Sequence, residues 1–112
     1  METTKVFQKT YDLYKHVYEN LRTLPKRERY TWGQRCDTMT LKVLELTMRA
    51  GMTPLAGKRV ILHELSNEID LLKIWLRLGN ELRILDHQKY IAREGELVEI
   101  GKMIGGWMKT VT

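Results

Sequence analysis

The chain has 112 residues, of which 43% are apolar, 29% charged and 8% aromatic, and its formal net charge at neutral pH is +5. This length fits one domain, residues 1–112, with little material for a deep substrate cleft, so a large enzyme is excluded. The longest apolar runs have three residues, whereas a membrane span needs about 20. With a single cysteine, Cys36, and no secretion signal, the sequence predicts a soluble, unprocessed, cytoplasmic protein that does not bind membranes.

The first helix is predicted over residues 4–23, because apolar residues recur there at helical spacing. Its core-facing positions are Val6, Leu13, Val17 and Leu21. Three aromatic residues lie one step around the same face, namely Phe7, Tyr14 and Tyr18. Pro25 ends this helix and suits the first turn of the next one, since proline lacks an N–H but has a helix-compatible φ.

The second helix carries a seam whose members are alternately four and three residues apart: Trp32, Cys36, Met39, Val43, Leu46 and Ala50. This spacing is typical of a helix packed nearly parallel to its neighbours, and it places Cys36 in the core as an inert thiol. Residues 51–57 contain Pro54 and two glycines. They are predicted to form a loop, because proline and glycine interrupt helices.

The third helix, predicted over residues 58–85, has two apolar stripes. The first stripe contains Leu62, Leu65, Ile69, Leu72, Leu76 and Gly79. The second stripe lies about 120° around the axis if each residue turns about 100°. Its members are Leu71, Trp75, Leu78, Leu82 and Leu85. The second stripe indicates either contact with another copy of the chain, through Leu71, Trp75, Leu78 and Leu82, or one wide core face.

Asp86 is predicted to cap the last helix, over residues 87–109. On that helix Gly101 and Gly105 are four residues apart, which predicts close approach of a neighbouring backbone. Four helical segments, no strand pattern and short loops together predict an all-α, up-and-down four-helix bundle.

The motifs of helical enzymes are incomplete, so the sequence predicts a protein without catalytic residues, metal or other cofactor. None of the three histidines follows a carboxylate by three positions, as a di-metal bundle site requires, and His63 lacks the second histidine of a zinc-protease helix. Ribonucleases of the HEPN type need a wider separation of arginine and histidine than the three intervening residues of the pairs Arg59–His63 and Arg83–His87.

The excess positive charge lies in the first half of the chain, where residues 1–50 hold ten lysines and arginines against six acidic residues. Arg35, Lys42 and Arg49 are seven residues apart and form a basic row along the second helix, away from its seam. At ~1.5 Å per residue the row is about 21 Å long, comparable to several phosphates of a nucleic-acid strand. The row therefore predicts contacts to phosphates without reading of base sequence.

Further cations extend this predicted nucleic-acid-binding surface. A basic corner, where the first helix passes into the second, contains Arg22, Lys26, Arg27 and Arg29. The third helix adds Lys58, Arg59, Lys73 and Arg77. Assembly of several copies would multiply this charge and raise the local potential.

Residues 24–35, Leu-Pro-Lys-Arg-Glu-Arg-Tyr-Thr-Trp-Gly-Gln-Arg, resemble the signature of a bacterial four-helix-bundle family that includes proteins encoded within intervening sequences of large-subunit ribosomal RNA genes. Three further segments are similar to accessory variability determinant proteins, the accessory subunits of diversity-generating retroelements. They are Leu44-Glu45-Leu46, residues 71–78 (Leu-Leu-Lys-Ile-Trp-Leu-Arg-Leu) and residues 99–107 (Glu-Ile-Gly-Lys-Met-Ile-Gly-Gly-Trp). The resemblance spans nearly the full chain, although each motif is short and largely structural.

The resemblance implies a homopentameric barrel of four-helix bundles in a bacterial cell, encoded by a chromosome or a phage. It implies binding to the reverse transcriptase of the element and to its template RNA, in support of error-prone cDNA synthesis at template adenines and mutagenic retrohoming. No binding motif carries over residue by residue, so the eleven cations named above are the candidate contacts to RNA, cDNA or polymerase. The alternative is a homo-oligomeric structural protein of the intervening-sequence type, whose charge only keeps it in solution.

Overall fold

The computed structural model describes residues 3–111, and over that range the chain is helical with no strand. The elements are α1 (Thr3–Arg22), the short α2 (Lys26–Glu28), a π-helical segment (Arg29–Gly33), α3 (Gln34–Met52), α4 (Leu55–Glu81) and α5 (His87–Thr110). Because α2, the π-helical segment and α3 form one continuous helix, there are four long helices, and the predicted all-α four-helix class is confirmed. No helix in the described part of the chain is both long and apolar enough to span a bilayer.

The four long helices form a ring in which each packs against the next one along the chain. α3 lies between α1 and α4, and α5 closes the ring by packing against both α4 and α1. Short connections make sequential neighbours antiparallel, so the bundle is up-and-down, with principal extents of 44 × 21 × 19 Å. In this arrangement α1 is diagonal to α4, and α3 is diagonal to α5.

The core runs along the axis of the ring and contains the predicted seams. All six members of the second helix's seam and all six of the first stripe of α4 are buried. From α1, the core takes Val6, Leu13, Val17 and Leu21. Tyr18, predicted to share that face, is instead 51% exposed, because it lies about 100° around the helix from Val17.

The connection between α3 and α4 is much shorter than the predicted loop. α3 continues through Gly51 to Met52, and α4 begins at Leu55, so Gly57 is helical. The N–H of Gly57 donates to the carbonyl of Pro54 at 3.0 Å. Proline at a helix N-terminus loses no hydrogen bond, because the first N–H groups have no intrahelical acceptor. Pro54 therefore starts a helix, and the predicted loop over residues 51–57 is wrong at both ends.

α4 ends at Glu81, before the predicted Leu85, in a Schellman motif. Arg83 adopts a left-handed φ of 62°, and its N–H donates to the carbonyl of Asn80 at 3.0 Å. The N–H of Ile84 reaches back to the carbonyl of Gly79 at 2.8 Å, which completes the motif. The reversal carries Leu85 into the core, where it is 2% exposed, so Leu85 does not belong to the second stripe.

Asp86 caps α5 as predicted, since its Oδ1 accepts the N–H of Lys89 at 2.9 Å. The close backbone approach predicted at Gly101 and Gly105 of α5 is absent within the protomer: a Cβ on Gly105 would meet nothing within 4 Å, and one on Gly101 would meet only the Nζ of Lys73 at 3.8 Å. The close approach lies on α4 instead, where a Cβ on Gly79 would overlap the ring of Trp32.

Candidate nucleic-acid interface

The basic row lies on the flank of α3 that faces α4. Arg35 and Arg49 are exposed. Lys42 is half-buried, because its ammonium group reaches Glu64 of α4 at 3.7 Å. Since residues seven apart drift by only about 20° around a helix, the three side chains stay on one flank. The row is therefore continuous, with one carboxylate already placed against its middle member.

The basic corner is exposed at all four of its positions. The chain reverses there because Leu24 is buried, with its N–H donating to the carbonyl of Leu21 at 3.2 Å, and Pro25 then starts the next helix. Arg22 lies 3.4 Å from Glu19 on the same helix, with both side chains more than 60% exposed. The reversal brings α1 against the π-helical segment, and Arg22 and Arg29 of the corner line one cleft there.

The π-helical segment begins at Arg29, the last residue of the basic corner. A π-helix accommodates one extra residue per turn through i→i+5 hydrogen bonds. Near the start of the segment, the hydroxyl of Thr31 donates to the carbonyl of Arg27 at 2.9 Å. A Cβ on Gly33 would lie 3.2 Å from the carbonyl of Glu28 and 3.3 Å from Leu24. A larger residue at position 33 would press on the preceding turn, which gives the glycine of the signature over residues 24–35 a structural explanation.

Trp32 and Trp75 join the π-helical segment to α4, and we call this pair the tryptophan clasp. Each indole N–H donates to the other residue's backbone carbonyl, at 3.0 Å from Trp32 and at 3.1 Å from Trp75. The two rings stack with centroids 6.4 Å apart and planes 5° from parallel. Because Gly79 lacks a side chain, the ring of Trp32 packs directly on the backbone of α4.

The remaining members of the second stripe lie on the surface beside this clasp. Leu71 is 51% exposed, Leu78 37% and Leu82 59%, so the alternative of one wide core face is wrong. Arg35 lines the same shallow concavity as Leu78 and Leu82. The basic row therefore begins at the edge of the second stripe.

The cations of α4 do not line the clefts that contain Arg22, Arg29 and Arg35. Lys58 is half-buried, with its Nζ 5.4 Å from the centroid of the Trp107 ring, and Arg59 is exposed. Lys73 is half-buried near Gly101 of α5, and Arg77 is exposed, with its Nε 4.0 Å from Glu81. The eleven predicted cations thus form separate groups on the bundle and do not converge on one pocket.

One aromatic group beside the basic corner was not predicted from the sequence. Tyr14 and Tyr18 of α1 and Tyr30 of the π-helical segment line a single open cleft together with Arg22 and Arg29. The only sequence signals are that Tyr18 precedes Arg22 by one helical turn and that Tyr30 adjoins Arg29. These signals become meaningful only after the chain reverses at Pro25.

Two groups in the bundle have strongly raised pKa values, and both are held in their neutral form. Burial, followed by the hydrogen bond to Asp37 and the charge of that carboxylate, raises the pKa of Tyr14 to about 12. Burial likewise raises the pKa of the Cys36 thiol to about 12. Near neutral pH the thiol is therefore protonated, and thiolate chemistry is disfavoured at this position.

Comparison with known families identifies the family of the chain. A family model described as bAvd-like matches residues 5–111, a range that runs from the first turns of α1 to the end of α5. The match includes the basic corner, the basic row and the second stripe. It agrees with the resemblance to accessory variability determinant proteins seen in the sequence. No curated protein matches the chain.

Proposed function

Because the chain belongs to the bAvd-like family, we propose that it is the accessory subunit of a diversity-generating retroelement. In this role it performs no reaction of its own. It binds the reverse transcriptase of the element and holds template RNA, and the cDNA made from it, close to that enzyme during mutagenic retrohoming. The family match over residues 5–111 is the observation that carries this proposal.

The proposed nucleic-acid contacts are made by the basic row and the basic corner. Both ends of the row and the whole corner are exposed, and the surface ion pairs at Arg22 and Lys42 contribute little stability. These cations are therefore available to exchange a carboxylate for a phosphate. Phosphate contacts position a strand without reading its sequence, which suits a subunit that must act along a whole template.

The proposed assembly is a homopentamer in which a neighbouring copy covers the second stripe. Support comes from the apolar side chains on one flank of α4, since an exposed contiguous apolar patch marks a protein contact. Arg35 borders this patch, so assembly would place basic rows of several copies near each other and raise the local potential. Lys73 lies toward α5, away from the side of α4 that carries the tryptophan clasp. Lys73 and Arg77 are therefore the proposed contacts to the reverse transcriptase.

A second candidate function is a purely structural oligomer without a retroelement partner. The observation that favours it is that Glu19, Glu64 and Glu81 each lie within 4.0 Å of a predicted binding cation, as on an ordinary solvated surface. The genomic neighbourhood separates the two candidates. A reverse-transcriptase gene with template and variable repeats beside this gene supports the first, and a location inside a ribosomal RNA gene supports the second.

The test is a titration of template RNA by filter binding at several salt concentrations, with the unaltered chain and with the row variant Arg49→Glu. The unaltered chain is expected to lose affinity steeply with salt, and each phosphate contact removed lowers the slope of log affinity against log salt by about 0.7 for a single strand. The matched control is Lys102→Glu, an exposed position on α5, diagonal to the basic row. The proposal is contradicted if the affinity does not change with salt concentration, or if the control weakens binding as much as the row variant does.

A further inference from the structure

The cleft that joins α1 to the π-helical segment combines tyrosine rings with cations of the basic corner. It has a volume of about 520 Å³ and is open to solvent, which falls within the 300–1,000 Å³ typical of ligand sites. Its walls come from α1 on one side and from the π-helical segment on the other. We call it the tyrosine cleft, after Tyr14, Tyr18 and Tyr30.

Two of the three tyrosines present their rings to solvent. Tyr18 is 51% exposed and Tyr30 is 62% exposed. Tyr14 is held in place, because its hydroxyl donates to Asp37 of α3 at 2.8 Å, and its ring lies 6.4 Å from that of Tyr18. The cleft therefore has one fixed aromatic side chain and two exposed aromatic faces, which is the kind of surface on which a planar ring stacks.

The charges around the tyrosine cleft favour a polyanion at its rim. Arg22 and Arg29 line the cleft, and the other two cations of the basic corner lie between them in the chain. The carboxylate in the cleft, Asp37, already accepts the Tyr14 hydroxyl. The negative charge of Asp37 disfavours a phosphate beside it within the cleft. Gln34 also lines the cleft, and its side-chain amide offers both a hydrogen-bond donor and an acceptor.

We propose that the tyrosine cleft binds unpaired nucleobases of a single strand, with bases stacked on Tyr18 and Tyr30 and their phosphates held by Arg22 and Arg29. The inference rests on the proposed function, which supplies a nucleic acid as the ligand. It adds that the nucleic acid bound here is single-stranded and not duplex. Aromatic stacking combined with a basic rim is how sequence-tolerant single-strand binding works. Bases in a duplex are already paired and stacked, so they do not reach the cleft.

The test compares the affinities of a short single strand and of its duplex for the unaltered chain, Tyr18→Leu and Tyr30→Leu. Leucine keeps an apolar side chain at a position where it favours the helix, but it removes the aromatic face. Each variant is expected to lose single-strand affinity by at least about fivefold while duplex affinity and salt dependence stay unchanged. The matched control is Tyr11→Leu, which removes a tyrosine of α1 that is 43% exposed and does not line the cleft.

Ultraviolet cross-linking of the unaltered chain to the single strand gives a second readout that needs no variant. We expect the cross-linked peptides to contain Tyr18 or Tyr30, and cross-links confined to other peptides overturn the inference. Cleft variants that bind the single strand normally, or that lose single-strand and duplex affinity equally, also overturn it. If the basic-row variant still weakens binding in that case, the proposed function stands. If no oligonucleotide binds the unaltered chain, both fail.

Discussion

Gly79 allows the ring of Trp32 to pack directly on the backbone of α4, and this contact is sensitive to a single methyl group. We expect Gly79→Ala to lower the free energy of unfolding by about 1–3 kcal/mol, because the added Cβ overpacks the clasp. Gly95 of α5 is the control, since a Cβ there meets nothing within 4 Å. Gly95→Ala should instead stabilise the protein by up to ~1 kcal/mol through helix propensity. Urea unfolding measures both, and shifts of the same sign contradict the packing argument.

Asp86 makes the stability of the bundle depend on acid pH. The hydrogen bond from the N–H of Lys89 holds the pKa of the Asp86 carboxyl below its ordinary 3.8. A group whose pKa is lowered by folding contributes stability above its unfolded pKa and loses it as pH falls through the folded value. Asp86→Asn keeps a good N-cap but does not titrate. The unaltered chain should therefore lose stability relative to this variant below pH 3.8, and a constant difference in unfolding free energy would refute the account.

The tryptophan clasp ties the π-helical segment to α4, and its two hydrogen bonds should be energetically coupled. Trp75→Phe removes one indole donor and Trp32→Phe removes the other, each at an expected cost of about 1–3 kcal/mol because a carbonyl contact and aromatic packing are lost. In a double-mutant cycle the two changes should show a coupling of at least ~0.5 kcal/mol. Strict additivity of the two unfolding free energies would mean that the stacked pair does not act as a unit.

The long helices could be predicted from sequence because their buried faces repeat without interruption. α1 is reproduced within a residue at each end, and the start of α5 at His87 is reproduced by its Asp86 cap. The predicted loop at residues 51–57 failed for a physical reason: Pro54 has opposite effects at the start of a helix and in its interior, and sequence alone does not say which position it occupies.

Other features depended on tertiary geometry that no local pattern carries. The π-helical segment adds one residue to a turn, but the sequence pattern does not reveal it. The reason is that Trp32 and Cys36 are four residues apart, which is also the spacing of an α-helical seam. Whether the second stripe was core or surface depended on the position of α4 in the ring. Tyr18 and Tyr30 are twelve residues apart on different helices, so the tyrosine cleft exists only once the chain reverses at Pro25.

At the scale of the whole molecule, the second stripe provides the test of the proposed assembly. Leu78→Glu puts a charge on a patch that a neighbouring copy is proposed to bury, so we expect light scattering to show a lower mass. Ile91→Glu is the control, because Ile91 is also exposed, at 52%, but lies on α5 and outside the second stripe. An unchanged mass for Leu78→Glu would remove the second stripe from the interface. Trp75 is a poorer target, since its loss also breaks the clasp within the protomer.

The position of Trp75 gives the chain an optical reporter of the proposed association. Trp32 and Trp107 are 5% and 4% exposed, so the emission of their indoles is already that of a dry environment. Trp75 is only half-buried and lies within the second stripe. Dilution of an assembled sample should therefore shift the intrinsic fluorescence to longer wavelength as water reaches this one ring, with no dye or added label.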